Sequence, residues 1–369
     1  MNIIEELLAN ETEETLREYI KIKYRGLLLE IETKAVYIFG TGRLGMYAYS
    51  QCTDHGYKIM GFIDNNSENW SNEARVFSPS ILTVDDIVIV ASFYYPDIID
   101  QLDSINIKNN IYYEDLAIAT GKLKSYYPAF DGIHNELIEN KEKYISMYDF
   151  LEDDLSKEVF EKMVCYRMYL DKDYPIKAMF ASMQNGIQYF DKVVTEKNIE
   201  FFYDVGGYDG DSTIDFIKQF RNYKKVFFYE PDKKIFEEAE KRFANIGEIE
   251  CFQVAVGEKS EKLRYAPIGG GAGVIGDFGS DIIESIMLDD YLNSEKSYVK
   301  MDIEGYEMQA IRGMRNSILK YKPILAICVY HKTGDMHKLA SKILSFNPNY
   351  KVYMRHYSKN YSETVCYFI

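Results

Sequence analysis

The sequence predicts an α/β protein: two alternating strand–helix units joined by a helical stretch, the second a doubly wound parallel sheet with an antiparallel edge. Three observations carry that expectation. Short apolar runs alternate with amphipathic segments over residues 35 to about 116, and again from about 199 to the C-terminus. Residues 121–198 between them keep helical spacing only. Each alternating unit opens on a strand and a glycine-rich turn, "YIFGTGRLG" from residue 37 and "FFYDVGGYDGDS" from residue 201. The expected organisation is therefore N-terminal helices over 1–33, a small α/β unit over 34–120, a helical connector over 121–198 and the larger unit over 199–369.

In order along the chain, residues 3–30 read as one or two helices, apolar at Ile3, Ile4, Leu7, Leu8, Leu16 and Ile20. "AVYIF" is a strand, 43–54 a helix, "KIMGFID" and "DIVIVAS" two further strands, 96–104 a helix and "NNIYY" a short fourth strand. Such a unit is about half of a full dinucleotide fold. In the connector, Leu151, Leu155, Val159 and Phe160 fit one helical face, with Asp154 or Ser156 as N-terminal cap and the acidic residues on a solvated face. Strands follow at 200–205, 225–230, 249–256, 298–303 and 323–330, then a closing pair, "YKVYMRHYS" and "ETVCYFI".

Composition narrows the function. The chain has 369 residues, enough for two cores, and is 47% hydrophobic and 27% charged. Its 33 tyrosines suit sugar rings and flat heterocycles as well as half-buried positions. A net charge of −15 argues against nucleic acid or an anionic membrane as partner. Cys52, Cys165, Cys251, Cys328 and Cys366 are odd in number and lack C-x-x-C spacing, so the expectation is reduced thiols in a cytoplasmic protein. The acidic, amphipathic N-terminus does not read as a signal peptide, and no stretch approaches the roughly 18 apolar residues of a membrane span.

In an open parallel sheet, ligands sit beyond the C-terminal strand ends, so the residues delivered there are the candidates. The first strand of the larger unit ends at Asp204 and runs into Gly206, Gly207, Tyr208 and Gly210, with Ser212 and Thr213 opening a helix. Such a turn allows close backbone approach and offers amides to an anion. The second strand ends in Glu230, 26 positions after Asp204 and followed by Pro231 and Asp232; an acid there can accept both hydroxyls of a ribose. Val254 to Gly257, including Ala255 and Val256, are placed to line an adenine pocket. On the fourth strand Lys300, Asp302 and Glu304 alternate onto one face, where a central parallel strand is normally apolar; the residues form either a structural pair or a site. The fifth strand delivers His331, a candidate general base. The stretch 266–281, "APIGGGAGVIGDFGSD", reads as a mobile lid.

"YDVGGYDGDST", "FYEPD", "VAVGE", "IMLDDYL" and "VKMDIEGYEMQAIRGM" resemble, in order and spacing, the FkbM-type family of S-adenosylmethionine-dependent methyltransferases, over about 187–369. The resemblance implies a class I methyltransferase fold that uses S-adenosylmethionine. In that family the glycine loop and the following acid bind the cofactor, here Asp204, Gly206, Gly210 and Glu230. Gly207, Tyr208, Ser212, Pro231, Asp232, Ala255 and Val256 complete the expected cofactor set; Gly207-Tyr208 stands where many members have Ala-Asn. Members commonly O-methylate sugar hydroxyls in glycan or natural-product biosynthesis, so a small-molecule or glycan acceptor is the expected partner. Asp302, Glu304 and His331 are the candidate catalytic residues, and Asp302 with Glu304 would hold Mg²⁺ if the transfer is metal-dependent.

The first turn, Gly40, Gly42 and Gly45 with Asp64 ending the next strand, has dinucleotide-binding spacing. "IFGTG…GFIDN" resembles Rossmann-like domains at the start of nucleotide-sugar acyltransferases, which implies a nucleotide, a nucleotide-sugar or a partner protein at Gly40–Gly45. Two other functions stay open: an NAD-dependent sugar oxidoreductase or epimerase, and a non-catalytic nucleotide-sugar-binding module. Against the oxidoreductase, Tyr19 and Lys23 have hydride-transfer spacing but precede the glycine turn. A homo-oligomer is compatible with either.

Overall fold

The computed structural model of the chain describes residues 2–69, 75–269, 272–276 and 279–369. Three helices open it, Ile3–Leu8, Glu13–Lys23 and Arg25–Ile31, where one or two were expected. The extra start comes from a capping box: Thr12 accepts from Thr15 N while the Thr15 hydroxyl accepts from Thr12 N.

Five strands form the first sheet: β1 (Ala35–Phe39), β2 (Lys58–Ile63), β3 (Val76–Phe77), β4 (Ile87–Val90) and β5 (Asn110–Tyr112), all parallel and in the order β3-β2-β1-β4-β5. The two-residue β3 is too short for periodicity to reveal, so four strands were expected and five form. The winding reverses between β1 and β4. There Gly40 has φ +115°, and a Cβ on it would strike the Ala91 carbonyl oxygen.

Helices Ile133–Glu139, Lys141–Phe150, Asp154–Tyr169 and Asp173–Met183 follow, then a tight hairpin of β6 (Gly186–Ile187) and β7 (Phe190–Asp191) that periodicity did not reveal. The cap of the third of these helices is Asp153 rather than Asp154 or Ser156; it accepts from Ser156 N at 2.7 Å. Nor is Asp153 merely solvated. Arg355, 2% exposed, donates to Asp153 Oδ2 at 2.8 Å and to the buried Asp191 Oδ2 at 2.9 Å, clamping this helix and the hairpin to the strand Val352–His356.

The second sheet contains β8 (Phe201–Val205), β9 (Lys225–Tyr229), β10 (Ile249–Phe252), β15 (Ser297–Met301), β16 (Ile324–Cys328), β17 (Val352–His356) and β18 (Thr364–Phe368). Their order is β10-β9-β8-β15-β16-β18-β17, parallel except for the antiparallel β18 and its pairings. A smaller sheet, β11 (Ala255–Val256), β12 (Glu261–Gly269), β13 (Ala272–Ile275) and β14 (Asp281–Ile286), sits beside it in the order β11-β14-β12-β13.

Two expectations fail here. Residues 249–256 are not one strand, because the chain leaves the large sheet after Phe252 and joins the small one at Ala255. The lid expected at 266–281 is largely β-structure, with β12 and β13 paired antiparallel; residues 270–271 and 277–278 of it lie outside the described residues. Glycine-rich composition misled because pairing, and not side-chain hydrophobicity, holds this hairpin. No helix among the described residues is long and apolar enough to cross a membrane. Buried apolar residues from Ile4 through Phe368 form one continuous core spanning both large sheets, whereas the sequence suggested a core for each unit.

Removing one partner of a buried, hydrogen-bonded ion pair leaves the other charge uncompensated. Arg355→Ala is expected to lower unfolding free energy by about 3–5 kcal/mol, read from the midpoint of a urea denaturation curve against wild type; a change within error would show that the clamp is dispensable.

Candidate active site

A cavity of about 350 Å³ opens at the C-terminal ends of the second sheet, over the switch between β8 and β15. A larger one of about 560 Å³, walled by Tyr47, Tyr126, Phe130 and His134, lies away from these strand ends.

Below the cavity the floor is electrostatic. Asp204 is fully buried, accepts from the Ser212 and Thr213 hydroxyls at 2.7 Å each, and lies 3.1 Å from Lys300 Nζ. Lys300 also donates to the Gly206 carbonyl, and the charges of Asp204 and Asp302 hold its ammonium up against the opposing pull of burial. The expected Lys300–Asp302 alternative thus becomes Lys300–Asp204. Gly206 turns the chain at φ +72°, and any Cβ there would strike the Asp302 carbonyl oxygen.

Of the expected cofactor residues, Gly206, Tyr208, Glu230, Pro231, Ala255 and Val256 line the cavity. Asp204, Gly207, Gly210, Ser212 and Asp232 do not: Asp204 and Ser212 bind each other beneath it, Gly207 and Gly210 make room for the Phe228 and Phe243 rings, and Asp232 caps the helix Lys233–Phe243. The first four lie in or beneath the glycine turn, and Asp232 lies after the next strand. Glu230 is held by two backbone amides, Asp232 N at 2.8 Å and Tyr208 N at 3.2 Å. Burial outweighs those amides and pushes its carboxyl up to about 7.

At the β15 end the alternation expected over 298–303 stops at Met301, and Asp302 to Gly305 form a turn. Asp302 accepts from Tyr189 OH at 2.7 Å and Tyr330 OH at 3.3 Å, and lies 3.3 Å from His331 Nε2. Against burial, His331 and Lys300 hold its carboxyl below the usual range. His331 Nδ1 is 3.0 Å from Glu307 Oε1, and Glu307 also accepts from Ile303 N at 3.0 Å. Burial would strip the imidazole of its proton, but Glu307, then Asp302 and Glu304, raise its pKa to about 10. The carboxylates thus favour the protonated imidazole, although neither ring nitrogen reaches hydrogen-bond geometry with a described residue. Glu304 lies 3.5 Å from His331 Nε2 and accepts no hydrogen bond from a described residue. Desolvation and Asp302 push its carboxyl up and His331 opposes them, but the side chain is 40% exposed, so solvent screens much of that rise.

The expected Mg²⁺ on Asp302 with Glu304 is not supported: among the described residues the ligand atoms that come within 4.8 Å of one another are those of Asp302, Glu307 and His331, and Glu304 is not in that group.

Sequence reasoning missed Gln188, Tyr189, Tyr330 and Glu363, all in the cavity wall. Gln188 and Tyr189 form the turn of the β6–β7 hairpin; Asn185-Gly186 just before them was the available signal. Glu363, in the β17–β18 loop, accepts from Gln188 and from Tyr330 OH at 3.3 Å, and burial raises its carboxyl. Tyr189, Tyr208, Glu304 and Glu363 have φ of +66°, +49°, +54° and +63°, half of the eight non-glycine residues with positive φ among those described. Strain gathered at one cavity is the mark of a site whose geometry the rest of the fold enforces.

Residues 204–357 match the family model described as Methyltransferase FkbM domain. The matched segment runs from within β8 to the end of β17, so Gln188, Tyr189 and Glu363 lie outside it. Methyltransferase FkbM from Methylobacillus flagellatus KT has the same fold, with TM-score 0.77 at 19% identity over 97% of this chain and 98% of that one. Fibrillarin from Aeropyrum pernix in complex with S-adenosyl-L-methionine (TM-score 0.32, 8% identity, 53% of this chain and 74% of that one) and an rRNA methylase from Streptococcus thermophilus (0.28, 12%, 54% and 93%) are too distant to carry an argument. No curated protein matches the sequence. The family match and the shared fold support a methyltransferase.

Because the His331 pKa is raised in the folded protein, its contribution to stability is complete below the unfolded value of about 6.5 and is lost as pH rises through about 10. Unfolding free energy, read from denaturation midpoints, should therefore fall between pH 6.5 and 10, by on the order of 5 kcal/mol from this group. His331→Gln should flatten that slope; an unchanged slope would show that the imidazole is not held between these carboxylates.

Proposed function

We propose that this chain is an S-adenosylmethionine-dependent methyltransferase that O-methylates a sugar hydroxyl in the assembly of a capsule, lipopolysaccharide, glycoprotein glycan or secondary metabolite. The observation that carries the reading is Glu230, a buried carboxyl facing a cavity and satisfied only by backbone amides, at the end of the strand next to the Gly206 turn. An acid so placed suits the paired hydroxyls of a ribose. Pro231, Val254, Ala255 and Val256 supply an apolar slot beside it, and the buried Tyr229 hydroxyl, with no partner among the described residues, lines the same space. These residues fit the cofactor, whose sulfonium supplies a methyl group already activated for transfer.

The chain's own residues then have positioning to do. Tyr189 and Tyr330 hold Asp302 fixed, while Glu304, in the cavity wall and without a donor among the described residues, takes the proton that an acceptor hydroxyl loses. Tyr265 on β12 and Gly273 and Ile275 on β13 wall off solvent. Tyrosine rings at positions 189, 208, 265, 306 and 330 offer faces and hydroxyls suited to a sugar.

The Gly40–Gly45 turn is the candidate seat for a nucleotide or nucleotide-sugar handle on the acceptor. Support comes from the β17–β18 loop: Asn360 donates to Phe93 O at 3.2 Å, just past β4, while Glu363 of the same loop faces the cavity.

Ligand that binds only the folded state at about 100 times its Kd stabilises by about 2.7 kcal/mol, a shift of a few degrees in Tm for a chain of this size. S-adenosylmethionine is expected to produce that shift, NAD none, and Glu230→Ala should remove most of it. A shift with NAD alone would point to the oxidoreductase reading instead.

A further inference from the structure

The charge of the cavity wall is lopsided. Asp211, Glu230, Asp302, Glu304 and Glu363 line it, against one cation, Lys300, among the described residues. Lys300 is already committed to Asp204 and to the Gly206 carbonyl. His331 stands behind the wall, shared by Asp302, Glu304 and Glu307. The rest of the polar lining is tyrosine and Gln188, including the Tyr229 hydroxyl, 1% exposed as a residue and without a hydrogen-bond partner. A wall of this kind favours a cationic ligand over a neutral one of the same shape.

We propose that this cavity tells the sulfonium cofactor from its thioether product by charge, with Glu304 and Glu363 as the discriminating residues. The inference rests on the methyltransferase reading. With Glu230 on the ribose, Asp302, Glu304 and Glu363 are left around the sulfur end of the cavity. In the transfer the S–CH₃ bond breaks with its electron pair staying on sulfur, an O–CH₃ bond forms, and the hydroxyl proton passes to Glu304. Sulfur ends neutral and Glu304 ends protonated, so the attraction that held the cofactor is cancelled in the step that makes product. The wall thus favours release.

A proton linkage follows. The groups facing Glu304 are Asp302 and Glu307 on its own turn, His331 and Tyr330 after β16, Tyr265 on β12, and Tyr361 and Glu363 from the β17–β18 loop. The buried carboxyl of Glu230 stands near 7 and that of Glu363 is raised, so part of this wall is protonated in the free protein at neutral pH. An arriving cation favours the ionised forms. Binding then releases protons, and affinity rises with pH through about 7 before levelling off.

Isothermal titration of S-adenosylmethionine, S-adenosylhomocysteine and sinefungin, which carries an ammonium in place of the sulfonium methyl, tests this at pH 6, 7 and 8 in two buffers of different ionisation enthalpy. S-adenosylmethionine and sinefungin should bind at least tenfold more tightly than S-adenosylhomocysteine at pH 8, with the gap narrowing towards pH 6. Protons should be released with the two cations only. Glu304→Gln and Glu363→Gln should each shrink the gap without weakening S-adenosylhomocysteine. Equal or tighter binding of S-adenosylhomocysteine by the wild type at pH 8 overturns the proposal and leaves the methyltransferase reading standing. Failure of all three ligands to bind would instead overturn the reading on which it rests.

Discussion

The buried Lys300–Asp204 pair is the constraint on which the second sheet and its cavity depend. It joins β8 to β15 at the switch in strand order, where ligands bind in folds of this kind. Asp204 holds the start of the helix Asp211–Gln219 through Ser212 and Thr213, and Lys300 holds the Gly206 carbonyl from below. The pair thereby sets the shape of the glycine turn, its distance from Asp302 and the depth of the cavity above. Charge buried so deeply is tolerable because each partner has further hydrogen bonds to satisfy it.

Above that pair lies a second electrostatic unit, an imidazolium shared by three carboxylates. Positive charge on the ring offsets that of Asp302, Glu304 and Glu307, which stand 3.3, 3.5 and 3.0 Å from its nitrogens. Glu304 is the member left without donors, on a left-handed backbone pinned on either side: Glu307 accepts from Ile303 N, and Lys332 donates to the Gly305 carbonyl. A left-handed backbone, an acid without a donor among the described residues and a cavity coincide at one residue. That coincidence is why Glu304 is proposed as the proton acceptor.

Both sheets also share one core through the helical segment between them, which is no passive linker. It contributes Asp153 and Asp191 to the Arg355 clamp and Gln188 and Tyr189 to the cavity wall. The β17–β18 loop likewise reaches from Glu363 in the cavity to Phe93 beside the first sheet. Structural likeness over 97% of the chain to the Methylobacillus flagellatus KT protein shows the whole arrangement, and not one sheet, to be the shared fold.

What the sequence determined by itself was whatever depends on neighbours along the chain. Period-two and apolar runs located most strands of both large sheets, and strand-end residues put Glu230, Asp302 and Glu304 in the cavity wall. It also marked Lys300 as anomalous, a charged residue on a strand that should have been apolar. Only the tertiary structure decided the partners. Asp204, taken for a cofactor ligand, lies beneath Gly206; Lys300 pairs with it from the neighbouring strand; His331 is set among carboxylates from the turn and helix that follow β15. Tyr189 and Glu363 lie 113 and 61 positions from Asp302 and carry no local signature that could have joined them to it. The physical reason is common to all of these. Hydrophobic period and turn chemistry act over a few residues, whereas electrostatic pairing and burial act through space and exist only once distant strands have been brought side by side.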